Sequence, residues 1–126
     1  MSKLLYRLHN NKIYLNLTKN NKNIGDISSI VFNNTSFINK VFVHEEYRLN
    51  NYGTYLMNST EIILRQYYYD VNLIKLVVKQ HSDENLIYFF NKLGYNKYDI
   101  TYTNYTVNHQ YELIPIYKNI NNFTKF

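Results

Sequence analysis

The stretch whose residue types and spacing can do chemistry is Tyr47-Arg48-Leu49-Asn50-Asn51-Tyr52-Gly53-Thr54. It joins an apolar run, Phe37 to His44, to a run with helical periodicity from Thr54 to about Tyr69. A helix start combines unpaired N–H donors with the positive end of the helix dipole, so such a loop suits an anion, phosphate above all. Glu45 and Glu46 precede it and are expected to face water or pair with Lys or Arg, because pointing inward they would repel that anion. A second stretch, Asp83 to Tyr95, reads as a shorter helix with Ser82 or Asp83 as its cap and Gly94 where a left-handed C-terminal residue belongs.

The elements that position these stretches are legible from periodicity. Leu4 to Leu8, Lys12 to Thr18, Ile24 to Phe32 and Phe37 to His44 read as four strands joined by Asn-rich turns, an antiparallel meander. In the long helix Leu56, Thr60, Ile63 and Tyr67 form one stripe, widened by Met57, Leu64 and Tyr68; Asn58, Glu61 and Arg65 are expected opposite, facing water. Leu73 to Val78 is a mostly apolar strand, as in a sheet interior. Strand, helix and strand make a βαβ unit, so Val41–His44 and Leu73–Val78 are expected to run parallel. Tyr95 to Thr103 and Tyr111 to Lys118 read as two further strands. Pro115 predicts that the last is an edge strand or bulged. Residues 1–118 are expected to form one domain and 119–126 a frayed tail.

Composition narrows the class. The 126 residues are 45% hydrophobic and 18% charged, in the range of a globular domain. The absence of Cys excludes disulfides, thiolate nucleophiles and Cys-ligated zinc, and fits a cytoplasmic setting; no metal site is read. A net charge of +5 favours anionic partners. The lysines are scattered without a basic run, which disfavours a nucleic-acid tail. No apolar run is long enough to span a membrane. The wealth of Asn, Tyr, Ile and Lys matches AT-rich codons, so the Asn runs and the fifteen Tyr are not taken as functional signals.

The two stretches together resemble the GCN5-related N-acetyltransferase (GNAT) family. Its strand–loop signature, V-x-P-x-Y/F followed by R/Q-x-x-G-x-G/A, is matched by Val43 and Tyr47 and then by Arg48, Gly53 and the spacing between them. Asn51 stands where the family has Gly, and Asn is the best non-Gly residue at positive φ. The later signature, N-x-x-A-x-x-L/F-Y-x-K-x-G-F, is matched at Lys92, Gly94 and Tyr95. Asp83 replaces the first Asn, and Asn85 partly replaces it. Both signatures lie between Val41 and Tyr95.

The resemblance implies a single mixed α/β (α+β) domain. Its twisted, mostly antiparallel sheet of six to seven strands would carry a βαβ unit and two main helices, without the family's first two helices. It implies acetyl-CoA or CoA as cofactor, held by Phe42, Val43, Arg48, Leu49, Asn50, Asn51, Tyr52, Gly53, Thr54, Asp83, Asn85, Phe90 and Lys92, with backbone N–H groups near Phe42 and Val43 polarising the acetyl oxygen. It also implies an amine acceptor in an open site that a protein partner or second copy could complete. Phe90 replaces the Tyr that serves the family as acid, and it has no proton to give. Tyr88 lies about 200° away around the helix and does not substitute. Val78 falls near the usual base position, which leaves His81 as the nearest candidate base. His44 occupies the position where the family commonly has His before Pro, without a fixed role. The readings are an acetyltransferase, a degenerate CoA-binding or interaction module, and, third, a Tyr-rich nucleic-acid binder.

Overall fold

The computed structural model describes residues 2–48, 50–81, 86–98, 102–106 and 109–120. Four strands open the chain: β1 (Ser2–His9), β2 (Lys12–Lys19), β3 (Lys22–Phe32) and β4 (Thr35–Val43). The links 10–11, 20–21 and 33–34 are two residues each, so sequential strands pair antiparallel. Such tight turns need positive φ, and Asn10, Asn20, Asn21 and Asn33 supply it at 55°, 53°, 64° and 55°. In a chain with three glycines, Asn takes over the turn positions that Gly holds elsewhere. The β1–β2 hairpin leaves no room for helices between those strands.

A short 3-10 turn, Glu45–Tyr47, leads to α1 (Tyr52–Tyr67), then β5 (Leu73–His81), α2 (Leu86–Lys92), β6 (Asn96–Lys97), β7 (Tyr102–Thr106) and β8 (His109–Asn119). The strands form one mixed sheet in the order β1-β2-β3-β4-β5-β8-β6, with β7 also on β8. β6 and β7 pair with different parts of the same side of β8, so together they fill a single strand position. Among the described residues the sole parallel pair is β4 with β5.

Several expectations change in detail. β8 is interior rather than an edge, because β5 pairs with it on one side, from Leu73↔Asn119 to His81↔Tyr111, and β6 and β7 pair with it on the other. Pro115 is tolerated because its nitrogen faces the break between β6 and β7, where its carbonyl accepts the Tyr98 N–H at 3.2 Å. The strand expected over Tyr95 to Thr103 is instead the separate pieces β6 and β7. The ordered chain runs past residue 118: Asn119 ends β8, and Ile120 is buried and donates to the Asn72 carbonyl at 3.0 Å. α1 begins two residues earlier than expected, at Tyr52, and ends at Tyr67.

Both helices pack on one face of the sheet. Ile13, Leu15 and Leu17 of β2, Ile27 of β3, Ile74 and Val78 of β5, and Ile114 and Ile116 of β8 meet Leu56, Met57, Ile63 and Leu64 of α1 and Phe90 of α2 in one core. Glu61, expected in water, is buried there. Its carboxylate accepts from Lys118 Nζ at 2.8 Å and lies 3.7 Å from the Arg65 guanidinium, which ties α1 to β8. Gly94 has φ 96°, and Tyr95 N–H bonds back to the Phe90 carbonyl at 3.0 Å, the left-handed ending expected for α2. No helix among the described residues is long and apolar enough to cross a membrane.

Candidate active site

β4 and β5 pair only over Thr35↔Leu73, Ser36↔Ile74 and Phe37↔Lys75. The expected parallel relation therefore holds, but not at Val41–His44, where the strands have parted. The cause is local. Opposite Ser28 and Ser29 the β4 register slips by one residue, at Asn39. An extra residue bends its strand, and this one comes two residues after the last β4–β5 pair, Phe37↔Lys75. Asn39 is fixed there by the Ser28 hydroxyl, 2.6 Å from its Oδ1.

The parting opens a V whose walls are backbone. His44 donates to the Ile24 carbonyl at 2.8 Å, so by alternation the N–H and C=O of Phe42 face β3, while those of Val41 and Val43 face into the V. A Cβ on Gly25 of β3 would collide with the Phe42 carbonyl, which fits that orientation and explains the glycine. Of the N–H groups of Phe42 and Val43, Val43's is therefore the one that faces into the V. On the other wall, Ile120's bond to Asn72 sets the alternation that turns the backbone of Val77 into the V.

The loop closes over the wide end. Arg48 Nε donates to the Val43 carbonyl at 2.9 Å, which anchors the exposed guanidinium at the rim. Asn50 Nδ2 donates to the carbonyls of Tyr47 and Arg48, both at 3.3 Å, and folds the loop on itself. Asn51 takes the left-handed conformation, φ 65° and ψ 14°, and begins the helix without using its side chain as a cap. The first intrahelical bond is Tyr55 N–H to the Asn51 carbonyl, 3.0 Å. The N–H groups of Asn51, Tyr52, Gly53 and Thr54 thus precede the helical ladder and are open to an anion. Leu49 lies outside the described residues.

Gly53 lets α2 pack close to the start of α1. A Cβ there would lie 3.2 Å from Cζ of Phe89 and 3.9 Å from Cγ2 of Val43. Phe89 of α2, which sequence reasoning passed over, is therefore the ring at the mouth. It packs edge-on against Phe90 with centroids 5.0 Å apart. Phe90 is 5% exposed and also packs edge-on against Tyr95, so its ring belongs to the core. The signal was available: α2 has one buried face, and Phe90 and Phe89 point about 100° apart on it. Lys92 is exposed, its Nζ 5.4 Å from the Tyr88 ring centre. Asp83 and Asn85 lie outside the described residues. Gln80, near the end of β5, accepts the Ile87 N–H at 3.0 Å and so caps α2. His81 ends β5 opposite Tyr111; its side chain lies outside the described atoms. His44 is exposed beside Phe42, with ring centroids 4.8 Å apart. Val78 is buried in the core. Shallow surface depressions lined by residues such as Asn20 and Asn21, or Arg7 and His9, lie along β1, β2 and the β2–β3 turn.

The splayed parallel pair, the loop and the helix start define an acetyltransferase fold, and comparison agrees. Residues 10–97 match the acetyltransferase (GNAT) domain family, and the chain belongs to that family. No curated protein matches the sequence. Among solved structures, the ribosomal-protein-S18-alanine N-acetyltransferase of Escherichia coli is similar at 20% identity and TM-score 0.77, over 90% of this chain and 72% of that one. A GNAT family acetyltransferase of Elizabethkingia anophelis, solved with acetyl-CoA bound, is similar at 10% identity and TM-score 0.76, over 94% of this chain and 98% of that one. The PaiA N-acetyltransferase of Thermoplasma acidophilum, in complex with coenzyme A, is similar at 18% identity and TM-score 0.66; the alignment covers 86% of this chain and 61% of that one.

Proposed function

We propose that the protein is an N-acetyltransferase that binds acetyl-CoA at the V and transfers the acetyl group to a primary amine. The observation that carries this reading is the combination of unpaired N–H groups at residues 51–54 with the parted strands directly beside them. The left-handed Asn51 lets the chain turn so that those donors converge, as a pyrophosphate requires. Arg48, held at the rim by Val43, adds a fixed positive charge. Further support comes from the Elizabethkingia protein, which is similar over almost its whole length and was solved with acetyl-CoA bound.

Acetyl-CoA brings an acyl group already activated as a thioester. This chain's residues then need only bind, align and stabilise. Holding amine and thioester in register can contribute about 7–11 kcal/mol. In this reading the Val43 N–H, which faces the V, stabilises the carbonyl oxygen as it gains charge. We assign proton acceptance from the amine to His81, which the backbone sets at the end of β5. Phe90 is buried and protonless, so the departing thiolate takes its proton from solvent. Residues 1–118 form the catalytic domain in this reading, extended by Asn119 and Ile120.

A second reading, a CoA-binding module without turnover, is favoured by Phe90 and by Val78 at the usual base position. In either reading a second copy or a protein partner can complete the acceptor side. Acetyl-CoA added at about a hundred times its Kd stabilises a native-state binding site by about 2.7 kcal/mol, so a rise in Tm is expected. CoA release with peptide amines then separates the readings: release supports transfer, whereas a Tm rise without release supports the binding module. No rise in Tm would overturn both.

A further inference from the structure

The two faces of the sheet differ. Among the described residues both helices cover one face, and the other carries none. Strand pairing assigns that bare face its residues: Tyr14 and Lys12 of β2, Ile30 and Phe32 of β3, Phe37 and Lys40 of β4, Lys75 and Val77 of β5, Tyr117 of β8. Phe32 is 64% exposed and Val77 59%, so this is apolar surface left in water. Its charge is one-sided. Lys3, Arg7, Lys12, Lys40, Lys75 and Lys79 lie on it, and its acid among the described residues is Asp26, which Lys40 holds at 3.0 Å.

The cations sit on the rings. Arg7 Cζ is 5.4 Å from the Tyr14 ring centre, Lys75 Nζ is 5.9 Å from that of Phe37 and 5.8 Å from that of Tyr98, and Lys40 Nζ is 5.9 Å from that of Phe42. A cation over a ring shields the face a nucleic-acid base would stack on, yet still offers its outward N–H groups to carboxylates. Two copies joined through this face would set cations against cations. An extended polypeptide suits what remains. Its acidic side chains meet the cations, its apolar ones the exposed rings and Val77, and its backbone the open Val77 groups at the V.

We propose that the bare face is the acceptor-docking surface and that the acceptor is an acidic polypeptide, its free amine directed into the V between β4 and β5. The substrate class rests on the acetyl-transfer reading; the surface itself does not. The test uses the full chain and three fluorescent probes of equal length: a peptide alternating Glu and Leu with a free amino terminus, its Lys/Leu counterpart, and oligouridylate RNA. Binding is followed by anisotropy without acetyl-CoA. The Glu/Leu peptide is expected to bind in preference to both others and to weaken as salt rises. The Arg7→Glu/Lys75→Glu double variant is expected to weaken it about tenfold or more, since charge reversal replaces attraction with repulsion, while keeping its acetyl-CoA-dependent rise in Tm. Should that variant fail to fold, the salt titration and the Lys12→Ala/Lys40→Ala variant carry the same comparison. Preference for the Lys/Leu peptide or the RNA, or undiminished binding by the folded variant, overturns the proposal. Glu/Leu binding without acetyl-CoA stabilisation supports the surface and overturns only the transfer reading. Acetyl-CoA stabilisation without Glu/Leu binding overturns the surface alone.

Discussion

β4 and β5 meet at one end and part at the other, and the two ends are built differently. At the closed end three residue pairs join the strands, Ile74 is fully buried, and Lys118, its partner on β8, reaches Glu61 on α1. At the open end the backbone of Val41, Val43 and Val77 faces the V, and an uncapped helix start sits beside it. α1 and α2 repeat the contrast. The start of α2 is filled by the Gln80 side chain, whereas α1 begins on an Asn whose side chain makes no cap. Open donors at a helix start suit an anionic ligand, whereas the Gln80 cap closes the corresponding place on α2.

This contrast predicts that damage at the two ends has different consequences. The largest effect is expected for Ile74→Ala, which removes a fully buried side chain at the closed end and costs about 2–5 kcal/mol. Urea titration checks it, and the molecules that remain folded should still be stabilised by acetyl-CoA. Gly53→Val comes next. Its Cβ would lie 3.2 Å from the Phe89 ring, so the cost is about 1–3 kcal/mol. Unlike Ile74→Ala, this change is expected to erase the acetyl-CoA-dependent rise in Tm, because it displaces the mouth itself. Arg48→Ala removes a rim charge and is expected to weaken CoA about tenfold by calorimetry, about 1.4 kcal/mol, with a smaller loss of stability because its bond to Val43 is at the surface.

The smallest effect belongs to the closed end. Tyr95 buries a hydroxyl for which the structure shows no partner, and burial, reinforced by the Glu61 carboxylate, raises its phenol far above the ordinary range. The folded form keeps that proton where the unfolded chain releases it, above about pH 10. The associated stability is complete below that pH and is lost as pH climbs past it. Tyr95→Phe should therefore gain up to about 1 kcal/mol near neutrality and lose stability less steeply in alkaline urea titrations. Equal slopes for variant and wild type would show that Tyr95 ionises freely in the fold.

How much of this was legible depended on range. Hairpins, α1 and the loop were readable because their determinants lie within a few residues: Asn pairs between alternating runs, a helical stripe, Arg48 and Gly53 at fixed spacing. The Asn runs looked like codon bias, yet Asn10, Asn20, Asn21, Asn33 and Asn51 all hold positive φ. Composition supplied the residue, and backbone sterics gave it a position. Long-range facts were not readable. Glu61 looked solvent-facing because its partner Lys118 is 57 residues away. Pro115 suggested an edge because nothing local shows that β6 and β7 leave a break beside it. The V itself depends on one extra residue at Asn39, which pattern reading along β4 cannot detect. At the site, the motif aligned Phe90 with the cleft, but core packing takes Phe90 inward and leaves Phe89 at the mouth.

The central claim is that the V and the loop beside it form one cofactor site. Amide chemical shifts of the labelled protein, titrated with acetyl-CoA, test it most directly. The account predicts that the largest changes fall on the N–H groups of Val41, Val43, Arg48 and residues 51–54, with little change across β1, β2 and the closed end of β5. Saturable changes centred elsewhere, or none at these amides, would contradict it.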